Sequence, residues 1–393
     1  MDIHDRLQPY LVKLPDYANA LKGLRELIIT NIILLGQTPA VRAFTKDDNI
    51  DSQEENLRAK VFLERLSESG ADETSTDSFG NPIALLKGRN PGKKPIICAV
   101  HLDSVLPSVD EINYRVTEKG ITGRGVADNA AGAGVVLSLP EILRHLGLEF
   151  ESDLYLLGLP DSLGKKNLKS IREFFLAWEK PIRGAVCLEG MDLGRLSYYS
   201  RGMIRAEIHC RTDEGKNSIL VINDIVNRLL AVRLPLRPAS KIVIGKIGGG
   251  IKHGDPALSA ALGFEIVSDS RKMVDDVFKK VLDMTESIAY EEQVRIKIEK
   301  LSDIDSVRLD YGHPLVKSAI SVMESLSIVP EVSSSESELS IFLSQGIPAI
   351  AVGVTEIENI HTENAYVAID PLFKGIAQVL GILIAIDEGA CDA

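Results

Sequence analysis

The sequence predicts an α/β protein in which a mainly parallel sheet with helices on both faces is interrupted by an inserted ferredoxin-like α+β domain. Three observations carry this expectation. Apolar, strand-like runs alternate with helical periods over the first two hundred residues. Those runs are nearly continuous in hydrophobicity, the mark of strands covered on both faces. From about Tyr199 the order changes to β-α-β-β-α-β for roughly a hundred residues before the first style returns.

Taken in order, SQEENLRAKVFLERLSESG (52–70) places apolar residues at helical spacing and stops at Gly70. NPIALLKG and PIICAV read as strands, a helix begins near Ala130, DLYLLGL (153–159) is a strand, NLKSIREFFLAWEK a helix, and GAVCLE (184–189) a strand. MIRAEIHC alternates, NSILVINDIVNRLLAV is helical, KIVIGKI and ALGFEIVS are strands, RKMVDDVFKKVLDMTESIAY is helical and VRIKIEKL is a strand. After SDIDS (302–306) come a helix in HPLVKSAISVMESL, the strand IPAIAVGV (347–354) and a last helix from Pro371. The expected division is a discontinuous domain, 1–198 plus 304–393, around an insert at 199–303. Pro140, inside the helix after Ala130, is expected to kink that helix or end it early.

Composition narrows the class. At 393 residues, 45% hydrophobic and 25% charged, the chain is long enough for two domains. Its net charge of −12 argues against nucleic acid or an anionic membrane as partner. The start, MDIHDRLQPYLVKLPDY, has no basic segment followed by an apolar run, and no window is read as reaching the roughly 18 to 20 apolar residues of a membrane span. A cytoplasmic protein is expected. Cys98, Cys187, Cys210 and Cys391 are scattered without paired spacing, which reads as reduced, mostly buried thiols rather than a disulfide framework or a cysteine zinc site.

In an open parallel sheet, ligands bind beyond the carboxyl ends of the strands. PIICAV is followed by His101 and Asp103, DLYLLGL by Asp161, GAVCLE ends in Glu189, and IPAIAVGV is followed by His361. The loop GITGRGVADNAAGAG adds Asp128. These six side chains are metal-capable: imidazole and carboxylate bind zinc at about 2.0 to 2.2 Å, and three protein ligands with one open position make a catalytic site. His101 and Asp103, two apart in extended chain, face the same side, so the carboxylate can hold the imidazole N–H and support the ligand rather than be one. Each piece also has a bland reading: a solvated His-Asp pair, a helix N-cap at Asp128, a strand terminus at Glu189, a surface turn at His361. Their joint placement at strand ends favours the metal. Gly123 and Gly125 give G-x-G, but Asp128 stands where a dinucleotide site needs its third glycine, and no Walker A sequence exists.

With these residues in view, the chain resembles the zinc peptidase family that includes peptidase T, aminoacylase and carboxypeptidase G. AVHLDSV is similar to its H-x-D-T-V segment and GRGVADNAAGAGVVL to its G-x-G-x-x-D-x-x-x-G segment; CLEG, SESELSIFLSQGIP and HTENAYVAID follow in the family's order. FGNPIALLKG and the inserted domain also stand where that family has them. The resemblance implies two metals bridged by Asp128, with His101 and Glu189 on one ion and His361 on the other. It implies a cis Asp128–Asn129 peptide, a carboxylate base to activate water, and an insert that acts as lid and homodimer interface. Asp103 and Asp161 fall at catalytic positions.

The chain departs from that pattern in LPDSLG, where Asp161 and Ser162 replace two consecutive glutamates, the general base and a ligand of the second metal. Asp161 falls short by one methylene, about 1.5 Å, and misplacement by about 1 Å can cost on the order of a hundredfold in rate. Ser162 offers a neutral hydroxyl, a poorer zinc ligand than carboxylate. In the insert, HCRTDEGKNSI lacks the family's loop histidine, His209 preceding it on the strand; GGGIKHGDP has His253 for an asparagine; Arg271 comes late; and Ala365 replaces a glutamate further on. Two readings follow: a metal-dependent hydrolase of amide bonds in small peptides or N-acyl amino acids, with impaired activity, and a catalytically inactive relative serving as a binding or assembly module. The expected cofactor is zinc, one ion tight at His101, Asp128 and Glu189 and the second weak or absent, with cobalt or manganese as alternatives.

Overall fold

The computed structural model describes residues 3–40, 56–106, 113–190 and 192–392. The chain divides into two compact units, residues 1–199 with 308–393, and residues 200–307.

The first unit is built on an eight-stranded sheet. Its strands are β1 (Glu73–Thr76), β2 (Pro82–Leu86), β3 (Ile96–His101), β4 (Leu154–Leu159), β5 (Gly184–Glu189), β6 (Arg195–Ser197), β7 (Glu331–Val332) and β8 (Ala349–Gly353), in the spatial order β1-β2-β4-β3-β5-β8-β6-β7. The four central strands, β4, β3, β5 and β8, run parallel. Every residue of β3 and β4 is buried, which is why both sequences are apolar without alternation. Register fixes the rim: His101 pairs with Leu159, Val100 with Leu188, and Glu189 with Gly353. His101, Asp161 and Glu189 therefore leave the sheet at one level.

The helices are α1 (Arg25–Gln37), α2 (Leu57–Glu68), α3 (Ala131–Leu146), α4 (Lys169–Ala177), α5 (Pro314–Ser325), α6 (Leu339–Ser344) and α7 (Asp370–Ala385). Two short helices, Ile3–Leu11 and Leu14–Ala20, precede them; neither these nor α1 were assigned from sequence. The expected helix at 52–70 appears as α2, residues 52–55 lying outside the described ones.

Two expectations are corrected: α3 does not end early at Pro140, and an apolar window of membrane-spanning length does exist. The helix runs through Pro140 to Leu146 and ends on Gly147 in the left-handed conformation, φ 60°. Proline removes one backbone hydrogen bond, but buried residues on both sides of it, Leu139 and Ile142 among them, hold the helix by packing. The stretch Val126–Leu146 is also long and apolar enough to cross a membrane, yet it lies almost wholly inside the protein and serves as a core helix.

Close packing explains the small residues of α3. A Cβ on Gly134 would lie 2.5 Å from Ile32 Cγ1 and 2.7 Å from the Ile32 backbone nitrogen, so α1 and α3 meet almost backbone to backbone. The polar groups at this crossing are satisfied in series: Arg65 Nε donates to Asn31 Oδ1 at 2.8 Å, Asn31 Nδ2 to Ser138 Oγ at 2.9 Å, and Ser138 Oγ to the Gly134 carbonyl at 2.7 Å. Buried polar groups paired in this way avoid the penalty of lost hydration.

The second unit has the β-α-β-β-α-β order: Gly202–Arg211, the helix Ser218–Leu230, Ser240–Gly249, Ser259–Ser268, the helix Arg271–Glu292 and Arg295–Ile304. Its antiparallel sheet places Ser259–Ser268 and Gly202–Arg211 at the centre, with the other two strands at the edges. Ile204, Ile208, Ile222, Ile225, Phe264 and Ile288 form its core. Asn217 and Ser270 cap the two helices, accepting from Ile219 N and Met273 N. Arg271 is engaged with Asp275, Asp303 and Asp305.

Overpacking a tight crossing of this kind typically costs about 1 to 3 kcal/mol. Gly134→Ala is accordingly expected to lower the unfolding free energy by that amount, read from urea denaturation with an unchanged m-value.

Candidate metal centre

His101 ends β3 with its side chain buried, 8% exposed. Its Nδ1 lies 3.3 Å from Asp103 Oδ1 and 3.2 Å from the Asp103 carbonyl oxygen. Both neighbours only accept, so Nδ1 carries the hydrogen and Nε2 is left for a ligand. Asp103 is itself fixed, its Oδ2 accepting from the backbone N–H of Ser162 at 2.8 Å and of Leu163 at 2.7 Å. Burial disfavours the imidazolium, but Asp103, with Glu338 and Asp128 behind it, outweighs burial and lifts the His101 pKa to about 9 in the metal-free chain.

Asp128 sits in a loop that leaves Gly125 in the left-handed conformation, φ 68°. The Asp128–Asn129 peptide is cis. Asp128 caps no helix; its Oδ2 accepts from Ser104 Oγ at 3.0 Å and Val105 N at 3.3 Å, and its Oδ1 lies 3.7 Å from His361 Nε2. Burial would raise its pKa, but His361, His101 and the Ser104 hydroxyl together hold it below the usual carboxylate range. Asn129 Nδ2 donates to the Leu188 carbonyl at 2.9 Å, tying this loop to the end of β5. The motif glycines follow from that contact: a Cβ on Gly190 would fall 1.9 Å from the Ala127 carbonyl oxygen, and one on Gly132 2.4 Å from Asn129 Oδ1.

Glu189 ends β5, and its Oε1 accepts from the hydroxyls of Ser335, at 2.7 Å, and Ser337. Burial pushes its pKa up, the two serines opposing this and Glu338 adding to it. His361 is half exposed and adopts φ 63°. It is brought to Asp128 by a small sheet that the sequence did not disclose. Tyr366–Ala368 pairs with Ile357–Glu358 on one side and Gly120–Thr122 on the other, and Gly120–Thr122 leads directly into the Asp128 loop. An Arg124–Glu363 ion pair and a 2.9 Å bond from Gly123 N to the carbonyl of Ala365 close the same junction.

Asp161 and Ser162 stand beside this group. The Asp161 carboxylate lies 3.4 Å from Lys166 Nζ and 3.8 Å from Lys169 Nζ. Ser162 is buried, with its Oγ unpartnered. Among the described residues Asn129 Oδ1, Ser162 Oγ and Glu338 Oε1, all buried at this rim, have no hydrogen-bond partner. Such unmet oxygens are what a bound cation or its water would satisfy. The donors, two imidazoles and buried carboxylates, fit a divalent ion. They stand in pairs, His101 with Asp103 and Asp128 with His361; among the described residues no three His, Cys, Asp or Glu side chains form a ready cage. From sequence, no individual role falls to Ser104, which lies in AVHLDSV, or to Ser335, Ser337 and Glu338, which lie in the motif SESELSIFLSQGIP, and Asn129 is marked only for its cis peptide.

The profile of Peptidase family M20/M25/M40 matches residues 97–385, most of the chain. This chain belongs to that family. No curated protein matches it by sequence. Among solved structures, aminopeptidase PepT from Bacillus cereus ATCC 10987 aligns over 92% of this chain and 98% of its own at TM-score 0.70 and 17% identity. Human carnosine dipeptidase 1 aligns over 95% and 99% at TM-score 0.70 and 12% identity. The Bacillus subtilis YXEP protein, a dinuclear metal binding peptidase, aligns over 92% and 99% at TM-score 0.62 and 14% identity. These likenesses show the shared fold, and the M20 fold is the one the sequence led us to expect.

For this M20 chain the protonation states make a pH prediction. A cation takes neutral imidazole and ionised carboxylate, whereas the metal-free His101 keeps its proton up to about pH 9 and Glu189 is shifted the same way. Metal affinity is therefore expected to rise with pH toward about 9, by about tenfold per unit for the His101 proton alone. Calorimetric zinc titrations across that range check this; a flat profile would exclude His101 as ligand.

Proposed function

We propose that the chain is a metal-dependent hydrolase of amide bonds in small peptides or N-acyl amino acids. The observation that carries the reading is the His101 pair: Asp103 takes Nδ1, which presents Nε2 at a rim shared with Asp128, Glu189 and His361, within an M20 fold. The peptidase and dipeptidase names of the solved relatives support the substrate class.

A divalent cation held tightly by His101, Asp128 and Glu189, with a second, weaker or absent, on the His361 side of Asp128, would polarise the scissile carbonyl and make water a stronger acid. Zinc is the first choice, with cobalt or manganese able to replace it. The remaining work belongs to the protein. Asp103 fixes the His101 tautomer, Ser104 and the Val105 N–H orient Asp128, and Ser335 and Ser337 orient Glu189. Asp161 is the carboxylate placed to take a proton from water, but Lys166 and Lys169 compete for its oxygens. Low activity follows. A homodimer formed through the 199–303 insert is part of the same proposal.

The second reading, a non-catalytic M20 relative, draws on that lysine pairing and on the neutral Ser162. Purified protein assayed on a panel of dipeptides and N-acyl amino acids with zinc, cobalt or manganese separates the two. We expect slow release of free amino acid. The double change Asp161→Glu with Ser162→Glu is expected to raise kcat/KM by about a hundredfold, the cost of an atom misplaced by about 1 Å. No turnover in either protein would leave only the binding reading.

Asp103→Asn is expected to weaken metal binding by about tenfold to a hundredfold, as loss of a partner behind a ligating histidine does. Dialysis against zinc followed by metal analysis measures it, and an unchanged affinity would detach His101 from the metal.

A further inference from the structure

Glu338 has no role in the reading above. It immediately precedes α6 with helical backbone angles, φ −52° and ψ −27°, and its side chain makes no capping bond, so capping does not explain it. It is only 2% exposed, and its Oε1 has no hydrogen-bond partner. A buried carboxylate left in this state is costly, and a side chain of similar volume without charge would be cheaper.

Its surroundings say what it faces. Ser335 and Ser337, just ahead of it, both donate to Glu189 Oε1, so the segment that delivers Glu338 is fastened to the end of β5. Its charge acts on Glu189 and on His101, and the strands that end in those residues, β5 and β3, are neighbours in the sheet. Two carboxylates in a buried, weakly screened place repel each other. The serines answer one oxygen of Glu189; Glu338 Oε1 is answered by nothing among the described residues. Among the described residues no three such side chains form a ready cage in the metal-free chain, but a cation taken up by His101 and Glu189 and drawing in Glu338 would satisfy that oxygen and offset the repulsion. Ser162, whose orphaned hydroxyl stands at the same rim, carries no charge to do so.

We infer that Glu338 is a further ligand of the cation held by His101 and Glu189, its Oε1 supplying an anionic oxygen to that ion. This rests on the metal-dependent reading given above. Hard divalent ions and zinc both accept such a carboxylate.

The test is cobalt titration of the metal-free, full-length protein, followed by calorimetry and by the visible d–d absorption of bound cobalt. The wild type is expected to bind one cobalt tightly. Glu338→Gln, which keeps the shape and removes the charge, is expected to weaken that ion by at least about tenfold to a hundredfold and to change the d–d band. Its metal-free form is expected to melt no lower than the wild type, because an unpaired buried charge has gone. Wild-type affinity with an unchanged band in Glu338→Gln overturns the assignment while leaving the metal centre intact. A wild type that binds no cobalt removes the metal reading itself and this inference with it. If Glu338→Gln does not fold, Glu338→Asp retains the charge and retracts the oxygen by one methylene: a ligand loses affinity, whereas an acid needed only for packing or charge does not.

Discussion

The Asp103 carboxylate is the constraint on which the site depends. It is 1% exposed and shared between the His101 imidazole and the backbone N–H groups of Ser162 and Leu163. Those partners belong to the ends of two neighbouring parallel strands, β3 and β4, so a single side chain locks the strand that delivers the histidine to the loop that carries Asp161. Peptide N–H bonds to a carboxylate at 2.7 to 2.8 Å are charge-assisted and among the stronger ones available. They keep the charge where the imidazole needs it, and they set which ring nitrogen is free.

The rest of the rim is held by the same logic of one contact joining two elements. The Asn129 amide reaches the Leu188 carbonyl and fastens the Asp128 loop to β5. The serines at 335 and 337 fasten the segment before α6 to Glu189. The small sheet through Gly120–Thr122 and Tyr366–Ala368 carries His361 to Asp128. Side chains far apart in sequence thus meet because the peptide groups around them are hydrogen-bonded across element boundaries, and not because the carboxylates and imidazoles attract one another.

How much of this could be read in advance depended on where each residue lay. His101 and Glu189 were legible because β3 and β5 are unbroken apolar runs that stop at them, and Asp103 because a period of two puts it on the same side as His101. Asp128 was legible from the glycines around it, which the structure explains by the close approach of Ala127 and Asn129. His361 was legible as a residue beyond the strand IPAIAVGV and from motif order, but what carries it to Asp128 was not: the strands flanking it are two and three residues long, too short for any periodicity. Most of α1 is apolar, so no polar face marks it as a helix, and α3 continues past Pro140 because packing overrides the local rule. Glu338 was illegible for a further reason. SESELSIFLSQGIP is placed by motif order alone, and only tertiary structure shows that its second glutamate is buried.

The charge balance of the rim gives the site a direction. Arg58, a buried guanidinium nearby, spends its donors on the carbonyls of Thr38 and Leu102 rather than on a carboxylate, so its charge reaches Asp103 and Asp128 only through space. The His101 and Glu189 pKa values are both displaced upward. The two shifts have different causes: burial lifts Glu189, with Glu338 adding to it, whereas against burial the carboxylates of Asp103, Glu338 and Asp128 lift His101, and Asp128 itself, also against burial, is held low by His361 and His101. Negative charge left unanswered is unevenly spread. On the His101 side, a buried Glu338 follows the serines that bond a half-buried Glu189. On the far side, the carboxylate at 161 is already answered by two lysines, residue 162 is neutral, and His361 is half open to solvent. A cation gains most where buried negative charge is unanswered and water is excluded, since attraction there is least screened. The proposed asymmetry, one tight ion beside His101 and a weaker or absent one beside His361, thus follows from where this chain has kept its charges.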